Sequence, residues 1–379
     1  MNENNIQNQI NPYNNRNYGI DLLRILLAFM VLSLHFNAGG TGKVLMNTTV
    51  VPWKWIVSGV TTLCYPAVNC YVLISGFFMY KQKADLRKQV KSLSKLWLMV
   101  LFFSVIGYLC VAIVFVKETS CIELIKRFFP VSRGKWWFFT VYFAMSLLSP
   151  FINSMLDTLD KTYHRILILL LLVMCSVIPM FNNWEGQLGS NYGYSLLWFF
   201  VLYVTGAYLA DNDNVVVNES NGNKFVCLGL TGGGYLVSSA IVFCSGPLLG
   251  RLGISIELTP YNSLLTYIQA ITLLLFFMNI KIKKKFRKVI GSLSALSLAS
   301  YMFHCQEDIE SVLWSNLKPW EYANCPTIIL VFLATIVTLF VVSVIIGFVR
   351  NKVARFIGLD IKIMGLVDSI YMKVVKILS

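Results

Sequence analysis

The stretch Asp21–Phe36, "DLLRILLAFMVLSLHF", is apolar enough to cross a bilayer, yet it carries an aspartate, an arginine and a histidine. On insertion scales an Asp or Arg at the centre of a membrane helix costs roughly 2.5–3.5 kcal/mol, so these side chains need partners or a helix end. Asp21 and Arg24 are three residues apart, Arg24 and His35 eleven. Eleven steps of about 100° bring a helix to within about 20° of alignment, which puts all three on one face. At about 1.5 Å per residue the arginine and histidine stand about 16 Å apart along the axis, roughly half the hydrocarbon thickness. Two readings fit. Arg24 can reach the headgroups with Asp21 as its partner while His35 bonds a neighbouring helix, or the three can form a polar stripe facing a site inside a bundle.

The rest of the chain decides that there is a bundle. Its 379 residues are 56% hydrophobic and 13% charged, far from a soluble composition. The fold class expected is all-α, a polytopic membrane bundle of about ten transmembrane helices, near 19–37, 55–80, 96–116, 136–156, 166–182, 195–211, 225–245, 262–280, 289–306 and 326–349. The second is long and holds Pro66 and Gly76, so a kink or break is expected there. Ten spans place both termini on one side. That side carries 22 of the 32 basic residues, including the runs at 81–95 and 281–288, which makes both termini cytoplasmic.

Around the membrane domain at 19–349 stand a polar cytoplasmic arm at 1–18 and a basic, amphipathic cytoplasmic tail at 350–379, suited to lying on the membrane surface. The arm lacks the basic start of a secretory signal, so the first span is expected to be retained. A net charge of +14 would suggest nucleic acid in a soluble protein, but the basic residues occupy short loops without a recognition module, so no nucleic acid is expected. The nine cysteines lack the paired spacing of a disulfide framework or zinc site. They are read as packing residues, and no metal is expected.

"YGIDLLRILLAFMVLSLHF", Tyr18–Phe36, resembles the first helix of the acyltransferase-3 family, whose signature is an arginine, ten residues and a histidine, with Ile-Asp before it. Further segments agree in order. "CYVLISGFFMY" (70–80) is similar to the family's Ser-Gly-aromatic helix, "WWFFTVYFAMSLLSPFIN" (from Trp136) to its Trp-aromatic helix ending in proline, "WFFVLYVTGAYLA" (from Trp198) to its aromatic-then-glycine helix, and "SLASYMFHCQ" (from Ser297) to its late Tyr-x-x-His segment. The resemblance covers about residues 18–310. The chain departs from the family in carrying Lys91 and Lys95 where arginines are frequent, and acidic residues after His304 where proline is frequent.

The resemblance implies transfer of an acyl group, most often acetyl, from cytoplasmic acyl-CoA to a glycan hydroxyl, on a surface or capsular polysaccharide or its lipid-linked precursor, in a bacterial cytoplasmic membrane. It makes His35, Arg24 and Asp21 the catalytic candidates: His35 as base for the hydroxyl, Arg24 as a phosphate ligand, Asp21 orienting the guanidinium. Arg87, Lys88, Lys91 and Lys95 are candidates for a basic donor rim, although such clusters also serve topology and anionic lipids. Ser75, Trp136, Tyr301 and His304 are substrate-side candidates, against the plainer readings of helix packing, interfacial belt and structural histidine. Glu307 and Asp308, three and four residues beyond His304, have same-face spacing for a second acid–base pair. A glycan exporter or flippase, or an acyl channel feeding a separate transferase or other envelope glycan-assembly protein, uses the same features.

Overall fold

The computed structural model describes residues 16–378 except 39–40, 84, 116–119, 183–187, 212–223, 253–255 and 257. Residues 1–15 of the expected arm lie outside the described residues. Among those described, every regular element is helical. In chain order the main helices are α1 (Tyr18–Asn37), α2 (Val51–Cys64), α3 (Ala67–Lys81), α4 (Leu86–Val114), α5 (Cys121–Arg127), α6 (Trp137–Asp157), α7 (Lys161–Leu172, continued through a π turn), α8 (Leu196–Asp211), α9 (Lys224–Arg251), α10 (Leu264–Met278), α11 (Lys284–Leu296), α12 (Leu298–His304), α13 (Glu307–Leu317), α14 (Thr327–Phe356) and α15 (Leu359–Leu378).

Among the described residues seven segments are long and apolar enough to cross a membrane: Tyr18–Asn37, Val51–Lys81, Leu86–Val114, Trp137–Asp157, Lys161–Phe181, Phe225–Gly246 and Thr327–Phe356; α8 and α10 are apolar but shorter. The span expected at 289–306 is instead two short helices, α11 and α12, meeting at Ser297. Along α14 the large residues Leu330, Leu333, Val337, Val341, Ile345 and Phe348 are exposed, while Ile336, Leu339, Phe340, Ser343 and Gly347 on its other face are buried. A continuous exposed apolar stripe of this kind is stable against lipid, with the backbone bonds satisfied inside the helix.

The hub of the bundle is α1, which packs on α2, α3, α10, α11, α12 and α14. It starts at Asn17, whose side-chain oxygen accepts the Gly19 and Ile20 N–H groups and satisfies donors that the first turn leaves open. The break in the second span falls at Tyr65–Pro66, between α2 and α3, because proline removes an N–H and crowds the preceding turn. Gly76 does not bend the helix. It lets α3 and α8 meet backbone to backbone: a Cβ at Gly76 would sit 2.5 Å from the Tyr203 carbonyl oxygen, and one at Gly206 2.4 Å from that of Leu73.

Candidate active site

The polar face of α1 opens at one end onto a cavity of about 340 Å³ lined by Arg16, Arg24, Tyr71, Ser75, Phe138, Tyr142, Ser294 and Ser297. Asp21, 2% exposed, organises it. Its Oδ2 accepts from Arg16 Nε at 2.5 Å, and its Oδ1 from Arg24 Nη1 at 3.2 Å and Ser294 Oγ at 3.0 Å. A buried carboxylate with two guanidinium partners and a hydroxyl is compensated. Arg24 keeps donor capacity toward the cavity and lies over the Phe78 ring at 5.3 Å. Ser75 lines the same cavity but donates to the Tyr71 carbonyl at 2.8 Å.

At the other end of α1, half-buried His35 meets α12. The His35 and His304 rings stand edge to face with centroids 4.8 Å apart. Cys305 Sγ lies 3.2 Å from His304 Nε2 and 3.7 Å from His35 Nε2. His304 is fully enclosed, and its Nδ1 faces the Ser300 carbonyl oxygen. The ligand atoms of His35, His304 and Cys305 all lie within 4.8 Å of one another, the donor types that zinc accepts. Between the two ends Tyr301 stacks on Phe139 and meets Phe138 edge-on; Trp137 clusters with Tyr194 and Tyr261, which line a further cavity with Leu34 and Asn37.

Beyond the histidines lies a second cavity of about 450 Å³ lined by Thr41, Lys43, Lys135, Glu307, Glu310, Trp314 and Trp320. Burial first, and then the Glu307 charge, holds the Glu310 carboxyl above the usual range.

The acid–base pairing expected between His304 and Glu307 or Asp308 does not form. Helix α12 ends at His304, and Gln306 caps a new helix by accepting the Ile309 N–H, so the i+3 and i+4 spacing spans a break. Glu307 bonds Arg127, Arg133 and Lys135, and Asp308 bonds Arg127. Trp136 is buried in an apolar cluster with Val100, Phe103 and Phe139; Phe139 lines the Arg24 cavity, and Trp136 does not. In the basic rim, Arg87 and Lys91 are paired with Asp368 of α15 at 2.6 and 3.0 Å; Lys88 and Lys95 are exposed. Arg16, Ser294, Arg127 and Cys305 were not singled out from sequence. An arginine preceding the "Ile-Asp" by a few residues was the one local signal for Arg16, and the Ser294 contact crosses 273 positions.

The bundle thus carries a guanidinium-lined cavity at one end of its central helix and a pair of imidazoles at the other. The family comparison is specific: residues 17–348 match the acyltransferase-3 model, described as an acyltransferase domain, and the chain belongs to that family. It is therefore a membrane acyltransferase. No curated protein and no solved structure gave a significant match.

Proposed function

We propose that this protein is an O-acyltransferase of a bacterial cytoplasmic membrane, moving an acyl group, acetyl foremost, from cytoplasmic acyl-CoA to a hydroxyl of a surface or capsular polysaccharide or its lipid-linked precursor. The observation that carries this reading is the placement of Arg24 in a hydroxyl-rich cavity and of His35 about three turns further along the same face. A guanidinium with free donors suits a donor phosphate. His35, reachable where His304 is not, suits the hydroxyl proton. The test is O-acyl content of the host's surface glycan, read by NMR with and without the gene. Ester signals that depend on the gene, at unchanged glycan export, are expected; failed export with unchanged acylation per sugar would make the protein an exporter.

Two further results are expected at the donor end. Arg24→Lys keeps the charge but not the planar fork, so the KM for acyl-CoA should rise about tenfold, the equivalent of one charge-assisted hydrogen bond; an unchanged KM would reduce Arg24 to a point charge. Asp368→Asn releases Arg87 and Lys91 from the tail. The hydrogen bonds and charges of Arg87 and Lys91 hold the Asp368 carboxyl below the usual range, so the latch is complete above pH about 4 and opens as pH falls through the lowered value. At neutral pH the variant should lower the KM for acyl-CoA about two- to fivefold, the scale of an exposed pair; no change would separate this cluster from the donor.

A further inference from the structure

The Cys305 thiol is the one nucleophile held between two imidazoles among the described residues, and its setting has the order of a catalytic relay. The Ser300 carbonyl oxygen can only accept, so the His304 Nδ1 facing it carries the ring proton. That fixes the tautomer and leaves the Nε2 lone pair directed at Cys305 Sγ, 3.2 Å away. Orienting group, base and nucleophile thus stand in line, as nucleophilic catalysis requires. On the other side of the sulfur, His35 Nε2 is 3.7 Å away. The two histidines differ in access: His304 is 0% exposed, whereas His35 is half-buried.

We propose that Cys305 carries the acyl group as a thioester between donor and acceptor. The proposal rests on the acyl-CoA-dependent reading above and adds a covalent step to it. In the first half-reaction Sγ attacks the carbonyl carbon of acyl-CoA while the thiol proton passes to His304 Nε2. The bond to the CoA sulfur breaks, and CoA takes that proton and leaves as the free thiol. In the second, the acceptor oxygen attacks the Cys305 thioester and His35 takes the hydroxyl proton. The Cys305 sulfur departs and recovers that proton, leaving the ester and the starting enzyme. No redox partner is needed. The relay explains why two imidazoles meet one sulfur: the enclosed one serves the thiol, and the accessible one serves the incoming hydroxyl. It also lets CoA leave before the acceptor arrives, with the Arg24 cavity serving the donor alone.

The test is isotope exchange with full-length protein in nanodiscs. Labelled free CoA is mixed with unlabelled acetyl-CoA, propionyl-CoA or palmitoyl-CoA and no acceptor, and label entering acyl-CoA is followed. Wild type should exchange with the acyl-CoA it uses, and acid-quenched protein should carry a hydroxylamine-sensitive acyl group on the Cys305 peptide. Cys305→Ala should lose exchange and at least 100-fold of transfer at unchanged thermal midpoint. Cys305→Ser should shift the trapped group to a hydroxylamine-resistant oxygen ester. Full transfer by either variant, an acyl group on His35 instead, or stoichiometric zinc in the active wild-type protein would overturn the relay while leaving the acyltransferase reading intact. Absence of ester formation in the wild-type host removes the reading itself, and the relay with it.

Discussion

His35→Ala is expected to reduce acyl transfer by about 10²–10⁴-fold, the contribution of a positioned general base, with little change in the KM for acyl-CoA. The split follows from the layout of α1. The Arg24 cavity contains none of the His35 side chain, and the two residues are about 16 Å apart along the axis, so the substitution leaves the donor-binding groups in place. It also leaves the fold largely alone, because His35 makes its strongest contacts through the backbone: its carbonyl oxygen accepts from the Gly42 N–H at 2.9 Å and from the Thr41 hydroxyl. The checks are ester signals on the glycan in cells carrying the variant at matched expression, and steady-state transfer in nanodiscs. Full activity would remove the imidazole from the chemistry. A raised KM for the donor with unchanged kcat would place it on the binding path instead.

How much of this was legible in the sequence depends on range. The stripe of Asp21, Arg24 and His35 is a property of one helix, so its period alone brought it out, and the break at Pro66 follows from a missing N–H at one residue. Gly76 shows where local reading ends. Glycine permits a bend and a close contact equally, and only the neighbouring Gly206 on α8 selects the contact. His304 shows it again: same-face spacing assumes an unbroken helix, and the cap supplied by Gln306 cannot be told from one more polar residue in a row. The partners of Arg87 and Lys91 lie on the tail helix, and those of Glu307 and Asp308 lie about 180 residues earlier. Charge pairing at such separations leaves no periodic trace. The short α11 and α12 look like one span in the sequence because apolar residues continue across the junction at Ser297.

That long-range pairing leads to the second large effect, on stability. Arg127 is 5% exposed. Its Nη1 bonds Glu307 at 2.7 Å, its Nη2 bonds Asp308 at 3.1 Å, its guanidinium lies 5.1 Å from the Tyr108 ring centroid, and its carbonyl oxygen takes the Ser104 hydroxyl. Asp308, 4% exposed, also accepts from Gln306 Nε2 at 2.9 Å. Arg127→Ala would take the guanidinium away from a buried carboxylate, at a cost of about 3–5 kcal/mol, and the thermal midpoint in detergent should fall by several degrees. Because burying two charges is itself costly, Arg127→Met combined with Asp308→Leu should recover much of the loss, and a double-mutant cycle would measure the coupling. The same network sets a pH dependence. Burial alone would raise the Glu307 carboxyl, but the Lys135 hydrogen bond and the Arg127, Lys135 and Arg133 charges hold it below the usual range. Its contribution is thus complete above pH about 4.3 and is lost as pH falls through the lowered value. Since α13 begins two residues after Cys305, loosening this clamp should also cost transfer activity in proportion to the unfolding it permits. An Arg127→Ala protein with an unchanged midpoint would mean that the pairing adds nothing beyond its own desolvation, and that the His304–Cys305 corner is held by the packing of α12 on α1, α4 and α14.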